Sequence, residues 1–383
     1  MADLDFKISQ NVILGSYTIN RLPQNVDSFG SRFVVIMDAP LKDAGIQDKI
    51  LQPLLERKIE YFVVDNTADG AGTKEIEHIL NLAKQGRVHG IIAAGGTKTI
   101  ILGMIIASLY NTDRSIYDYI DNSTTPDASP IPLICIPTTI RAPFAFTPYI
   151  PIIDSRSRQI KLFKSQNDLC RLVLWDSNFC STLPKKSLDS MALETLCLAI
   201  ESYISQKSSF FSDMFVEKAV ELLKYALIDE KMPETATPKE EFLMHGGCLS
   251  SIAAATSSIG IANLLALTIN ARYDVSRSAV SAILLLHILE DAGKFKADKI
   301  EKMGRIFGVV PENSTREDSV SAFAAYIRQF LISSKLPVRL NELNLSIDQL
   351  AFAAEDAGRL DIMNGLARST TTNDLFAILK AAY

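Results

Sequence analysis

The sequence predicts an α/β N-terminal domain followed by an all-α C-terminal domain. Three observations carry that expectation. Up to about residue 182, short apolar runs that end in an acid or a turn alternate with segments of helical period, the signature of a parallel sheet with helical crossovers. One of these runs, Ile91–Ala94, feeds a tight Gly95-Gly96 turn that opens directly into an apolar helix. Beyond Pro184 the helical period is nearly continuous to the end of the 383-residue chain. This length predicts two domains, placed at 1–182 and 183–383.

The elements follow in order. Phe33–Asp38 (FVVIMD), Tyr61–Asp65, His89–Ala94, Pro132–Ile136 and Arg171–Trp175 read as buried parallel strands. Asp43–Arg57, Lys74–Lys84 and the stretch after Gly96 read as the helices between them. Residues 111–130 are polar and rich in Pro, Asp and Ser, with at most one helical turn near Ile116–Ile120. Residues 144–153 and 158–163 read as extended on either side of a turn. In the second half the helices are expected at 190–205, 212–228, 239–267, 279–292, 296–307, 315–331, 347–357 and 372–382. Thr315 with Asp318, and Thr372 with Asp374, carry N-cap signals.

A ligand of such a sheet sits beyond the strand C-termini, where Asp38, Gly95 and Thr138 fall. The turn at Gly95-Gly96 aims backbone N–H groups and a helix N-terminus at one point, which suits a phosphate. With 39 basic and 44 acidic residues and a net charge of −5, the chain offers no positive excess for nucleic acid or an anionic membrane. The apolar runs at 91–109 and 251–268 are broken by Gly and Lys or diluted by Ser, Thr and Ala, so they read as buried elements rather than spans. The five scattered cysteines form no CxxC pair, and the N-terminus lacks a basic region followed by an apolar run. Reduced thiols, no signal peptide and a cytoplasmic location are therefore expected.

Several motifs resemble those of the iron-containing alcohol dehydrogenase family, within the dehydroquinate synthase-like superfamily. Gly95-Gly96 resembles the family's GGGS turn, and Ile136–Thr139 its IPTT motif. Asp176 with Leu183-Pro184 resembles its DP…LP segment. Glu194–Ser205 (ETLCLAIESYIS) resembles DALTHAIEAYVS, and Ile283–His287 resembles ILLPH. Leu336–Leu343 and the tail from Ala367 match its C-terminal segments.

The resemblance implies a Rossmann-like domain that binds NAD or NADP. It also implies a helical domain whose iron or zinc polarises an alcohol or carbonyl oxygen, a small-molecule substrate, and a homodimer. The cofactor contacts it implies fall on Asp38, Gly95, Gly96, Thr97, Lys98, Thr138, Thr139 and Lys161. The metal, held in the family by an aspartate and three histidines, would meet Glu194, Leu198, Asn263 and Arg277. Leu198 has no lone pair, Asn263 is a weak ligand and Arg277 repels a cation, so no metal ligands are assigned.

Glu194 and Arg277 are instead expected as an ion pair and as the candidate catalytic residues. A guanidinium supplies positive charge without a cation; the alternative is that the pair only neutralises an old cavity. After IPTT, the family's small residues are replaced by Ile140–Ala145 (IRAPFA), and its acid and lysine on the helix by Ile101 and Met104. Lys98 either binds a phosphate or is a solvated side chain. The sequence thus leaves three classes: an oxidoreductase of this family acting on a small alcohol or aldehyde with a nicotinamide cofactor, a metal-independent enzyme that uses Arg277, Lys98 or Arg141 on a different, anionic substrate, and a catalytically silent binding or scaffold relative.

Overall fold

The computed structural model describes residues 8, 10–66, 72–166, 169–228 and 237–383. Most of the stretch read for a leader lies outside them. The chain divides into two compact units that meet between Thr182 and Leu183.

In the first unit, apolar runs become strands at the centre of a sheet because both of their faces are covered by helices. The order is β1 (Asn11–Gly15), α1 (Leu22–Val26), β2 (Arg32–Asp38), α2 (Pro40–Asp43), α3 (Ile46–Glu56), β3 (Glu60–Asn66), α4 (Thr73–Gly86), β4 (Gly90–Gly95), α5 (Thr97–Leu109), α6 (Ile116–Asn122), β5 (Leu133–Pro137), β6 (Tyr149–Asp154), β7 (Gln159–Lys164) and β8 (Cys170–Asp176). Strands β1-β8-β5-β4-β2-β3 form, in that order, a parallel sheet among the described residues, and β6 and β7 form a separate antiparallel hairpin. Asp38, Gly95 and Pro137 end neighbouring strands on the same edge of this sheet.

Helix α5 is apolar on every side and almost wholly buried, as expected of a helix enclosed by its own domain. It approaches β4 closely at Gly103, where a Cβ would come within 2.5 Å of the Ala93 Cβ. Three local readings change here. The half-buried strand β1, not read from sequence, adds an edge beside β8. Residues 116–122 form a true helix, because Ser115 and Asp118 build a reciprocal cap. Residues 143–146 form a 3₁₀ turn rather than extended chain.

The second unit holds α7 (Lys185–Ile204), α8 (Phe210–Leu227), α9 (Lys239–Thr256), α10 (Ile261–Tyr273), α11 (Arg277–Ala292), α12 (Ala297–Phe307), α13 (Arg316–Ser333), α14 (Ile347–Gly358) and α15 (Thr372–Ala381). Helix α7 is its axis, buried from Leu188 to its end except at the half-buried Met191. The helix expected over 239–267 is instead two helices, with a break at 257–260 and a bend of 95°. No single helix among the described residues is long and apolar enough to cross a membrane. The cap of α13 is Thr315, as read, but that of α15 is Thr371 rather than Thr372.

Candidate functional site

The turn at the end of β4 is built around a carboxylate. Asp38 Oδ2 accepts the Gly96 N–H at 2.7 Å, and the Thr99 hydroxyl donates a short bond to Oδ1. Gly95 is required by this approach, since a Cβ there would lie 2.6–2.7 Å from the Asp38 carboxyl atoms. Asp38 thus places negative charge at the N-terminus of α5, where the helix dipole stabilises it. Thr97 opens the helix; it is buried, and its hydroxyl oxygen has no hydrogen-bond partner among the described residues. Lys98 beside it is half-buried.

Thr138 and Thr139 follow β5 and are both buried. The Thr138 N–H donates to the Gly95 carbonyl at 3.0 Å, which ties this segment to the glycine turn. The Thr139 hydroxyl donates to the Arg141 carbonyl, and the Trp175 indole N–H to the Thr139 carbonyl. Arg141, Phe144 and their neighbours are buried as well, so the bulk of Ile140–Ala145 is packed into the domain. The structure therefore gathers Asp38, Gly95, Gly96, Thr97, Lys98, Thr138 and Thr139 at one edge of the sheet. It puts Lys161 on the separate hairpin, paired with Ile152. There Asp121 and Asp154 are held below the usual carboxylate range first by hydrogen bonds from Arg156, with Lys161 adding a weaker pull.

In the helical unit, Arg277 opens α11 and reaches Glu194 on α7, Nη2 to Oε1 at 3.4 Å. Glu194 is 1% exposed at its side chain and Arg277 11%. Leu198, one turn further along α7, is buried. Asn263 does not join this pair. Its side-chain amide donates to Glu201 Oε2 at 2.8 Å, and Glu201 also accepts the backbone N–H groups of Gly260, Ala262 and Asn263. Glu201 is the cap of α10, and Gly260 is what lets it in: a Cβ at 260 would lie 2.4 Å from the Glu201 carboxyl carbon. Burial raises the Glu201 carboxyl to about 6, against the four donors that hold it down. Burial, with Glu201 and Glu194 nearby, pushes the Cys197 thiol well above its usual value. Among the described residues no group of three or more His, Cys, Asp and Glu could hold a metal ion.

Residues 9–177 match the family described as iron-containing alcohol dehydrogenase, and residues 190–383 match its C-terminal part. The chain belongs to the iron-containing alcohol dehydrogenase family. Among similar proteins, the NADPH-dependent butanol dehydrogenase of Clostridium saccharobutylicum is 22% identical over 82% of this chain and 80% of its own. The lactaldehyde reductase of Escherichia coli K12 is 19% identical over 98% of both. The fold matches the crystal structure of a 1,3-propanediol oxidoreductase with a TM-score of 0.90 over the full length of both chains at 18% identity. It also matches sulfoacetaldehyde reductase from Bifidobacterium kashiwanohense, solved with NAD+, with a TM-score of 0.83 at 16% identity over 100% of this chain and 99% of the other.

Family membership makes this chain an alcohol dehydrogenase-like oxidoreductase, with a parallel-sheet domain and a helical domain. Sequence reasoning did not single out Thr99, which bonds Asp38, or Glu201, which caps α10. For Glu201 a signal was present: it lies seven residues after Glu194 in the otherwise apolar stretch LCLAIESYI, so both acids share one helix face.

Proposed function

We propose that this member of the family is an NAD(P)-linked oxidoreductase of small alcohols and carbonyl compounds whose helical site works without bound iron or zinc. The observation that carries the proposal is the buried Glu194–Arg277 ion pair, 3.4 Å apart, where the family resemblance implies a metal. The donor set does not fit a divalent ion. Leu198 has no lone pair, Asn263 is committed to Glu201 and Arg277 is a fixed cation. The guanidinium instead offers a localised positive charge, oriented by Glu194, to an oxygen that gains negative charge as a carbonyl is reduced.

The nucleotide side fits a cofactor better. The first turn of α5, the buried Thr97 hydroxyl and Lys98 suit a pyrophosphate. Thr138 and Thr139 flank them, and Asp38 holds the turn in shape. When bound, the nicotinamide supplies or accepts the hydride. The similar proteins act, by their names, on butanol, lactaldehyde, 1,3-propanediol and sulfoacetaldehyde, with NADH or NADPH in the butanol enzymes. A cytoplasmic homodimer completes the proposal; the five buried free cysteines suit a reducing compartment.

The test is aldehyde-dependent oxidation of NADH and NADPH, with butanal as substrate, in excess EDTA. The expected result is turnover that EDTA leaves unchanged. Turnover that EDTA abolishes and ferrous iron restores would overturn the metal-free reading. A second reading, a catalytically silent relative, is favoured by Asp38 holding the Gly96 N–H that a phosphate uses. Absence of both turnover and any thermal shift with either nucleotide would select it.

A further inference from the structure

The sheet domain carries an open groove of about 650 Å³, within the size range of small-molecule sites. It lies at the C-terminal ends of β1 and β8, against one face of α3. Ligands of parallel sheets bind at this edge. The cofactor reading uses the other half of the edge, and none of Asp38, Gly95, Thr97 and Thr138 lines the groove.

The lining accepts more than it donates. Asp176 is part of it and is 1% exposed. Its Oδ1 accepts the Tyr17 N–H at 3.1 Å and the backbone and side-chain N–H groups of Asn178 at 3.0 and 2.8 Å. Its Oδ2 accepts the Ile19 N–H at 3.1 Å and has room for a second donor. These bonds use up four donors of the wall. Pro53 has no N–H, so the Lys49 carbonyl one turn back lacks its helical donor. Asp48 and Glu56 stand on the same wall, and among the described residues neither they nor Asp176 is in an ion pair. Against these three carboxylates the groove sets one lysine, Lys49. Walls dominated by one sign of charge concentrate the opposite ion.

The spacing sets the shape of that ion. Asp48, Gln52 and Glu56 follow at intervals of four and share one face of α3, with the two acids about 12 Å apart along its axis. A divalent metal ion needs its carboxylates gathered around one point, and these are spread along a line. Ile19, Pro53 and Phe179 add apolar surface to the lining. Tyr17 also lines the groove and is 72% exposed. Its φ of 59° is a left-handed conformation that a bulky residue avoids, and such outliers gather at ligand clamps. The face of its ring suits an ammonium group.

We propose that this groove binds a linear aliphatic polyamine. Its terminal ammonium groups meet Asp48 and Glu56, an inner one meets Asp176 and the Lys49 carbonyl, and its methylene segments cover the apolar lining. The site uses neither the glycine turn nor the Glu194–Arg277 pair, so it stands apart from the oxidoreductase reading.

The test is calorimetric titration of spermidine into the full-length protein at low salt, with 1-aminobutane and magnesium as comparisons. The wild type should bind one spermidine per chain, about tenfold or more tightly than either comparison. Asp48→Asn and Glu56→Gln should each weaken spermidine about threefold, the worth of one exposed ion pair, and together about tenfold. Both positions are exposed, so the melting temperature without ligand should not change. Glu317→Gln, at an exposed acid in the first turn of α13, controls for non-specific attraction and should leave the affinity alone. Absence of spermidine binding, equal or tighter binding of magnesium or 1-aminobutane, unchanged affinity in the double variant, or the same loss in Glu317→Gln as in Asp48→Asn overturns the site.

Discussion

Helix α7 buries Glu194 and Glu201 two turns apart and answers these two carboxylates in opposite ways. Glu201 accepts three backbone N–H groups and one side-chain amide, all from the start of α10. Glu194 is met by a guanidinium on α11. Backbone donors cannot swing away, so Glu201 is part of the frame. A side-chain cation can exchange partners, so Glu194 is the carboxylate that the proposed function assigns to the reaction. Burial alone does not separate the two, since Glu194 is 1% and Glu201 2% exposed. The identity of the donors does.

The largest effect that sharpens this contrast is expected at the frame. Glu201→Ala leaves four buried donors without an acceptor and should cost about 4 kcal/mol of unfolding free energy in chemical denaturation. A loss under ~1 kcal/mol would mean that water replaces the carboxylate and that the contrast fails. Arg277→Ala should cost less, about 3 kcal/mol, because the stranded Glu194 gains some access to water through the gap. Adding Glu194→Leu should recover most of that loss, whereas no second substitution on α7 should rescue Glu201→Ala.

The pH dependence comes next in size. Burial raises the Glu201 carboxyl to about 6 from its ordinary 4.5. Between these values the folded state binds the extra proton and the unfolded state does not. Stability is therefore fully retained below the lower value and declines as pH rises through the upper one, by about 2 kcal/mol. Unfolding free energies at pH 4.5 and 6.5 measure this, and the decline should vanish in Glu201→Gln; a rise in stability over this window in the wild type contradicts it. The smallest effect is at the other carboxylate-capped helix. Thr99→Val removes one of the Asp38 bonds and should cost about 1 kcal/mol, and hydrogen exchange in the first turn of α5 should rise. Unchanged exchange there would show that the Gly96 N–H alone holds Asp38.

The sequence made the sheet legible because its central strands are continuous apolar runs, and it made α5 legible because a glycine turn precedes it. Strand β1 was missed because a half-buried edge strand of five residues carries little pattern. The break between α9 and α10 was missed for a tertiary reason. Ser257, Ser258 and Gly260 interrupt the apolar pattern only briefly, and a carboxylate from α7 enters over Gly260 to cap the second helix. The site divides along the same line. Asp38, the glycine turn and the Glu194–Arg277 pair were named from motifs. The Glu201 cap was not, since the donors it meets lie 59 or more residues further along the chain. The shift of the α15 cap to Thr371 has a local cause. Asp374 lies three residues after Thr371, the spacing a reciprocal cap needs.

In the proposed function the Arg277 guanidinium stands in for a metal ion. The most direct measurement is metal content after anaerobic incubation with ferrous iron or zinc and desalting, read by inductively coupled plasma mass spectrometry. The account predicts far less than one ion per chain for either metal, with no change in melting temperature. One tightly held ion per chain, lost on Glu194→Ala, would contradict it.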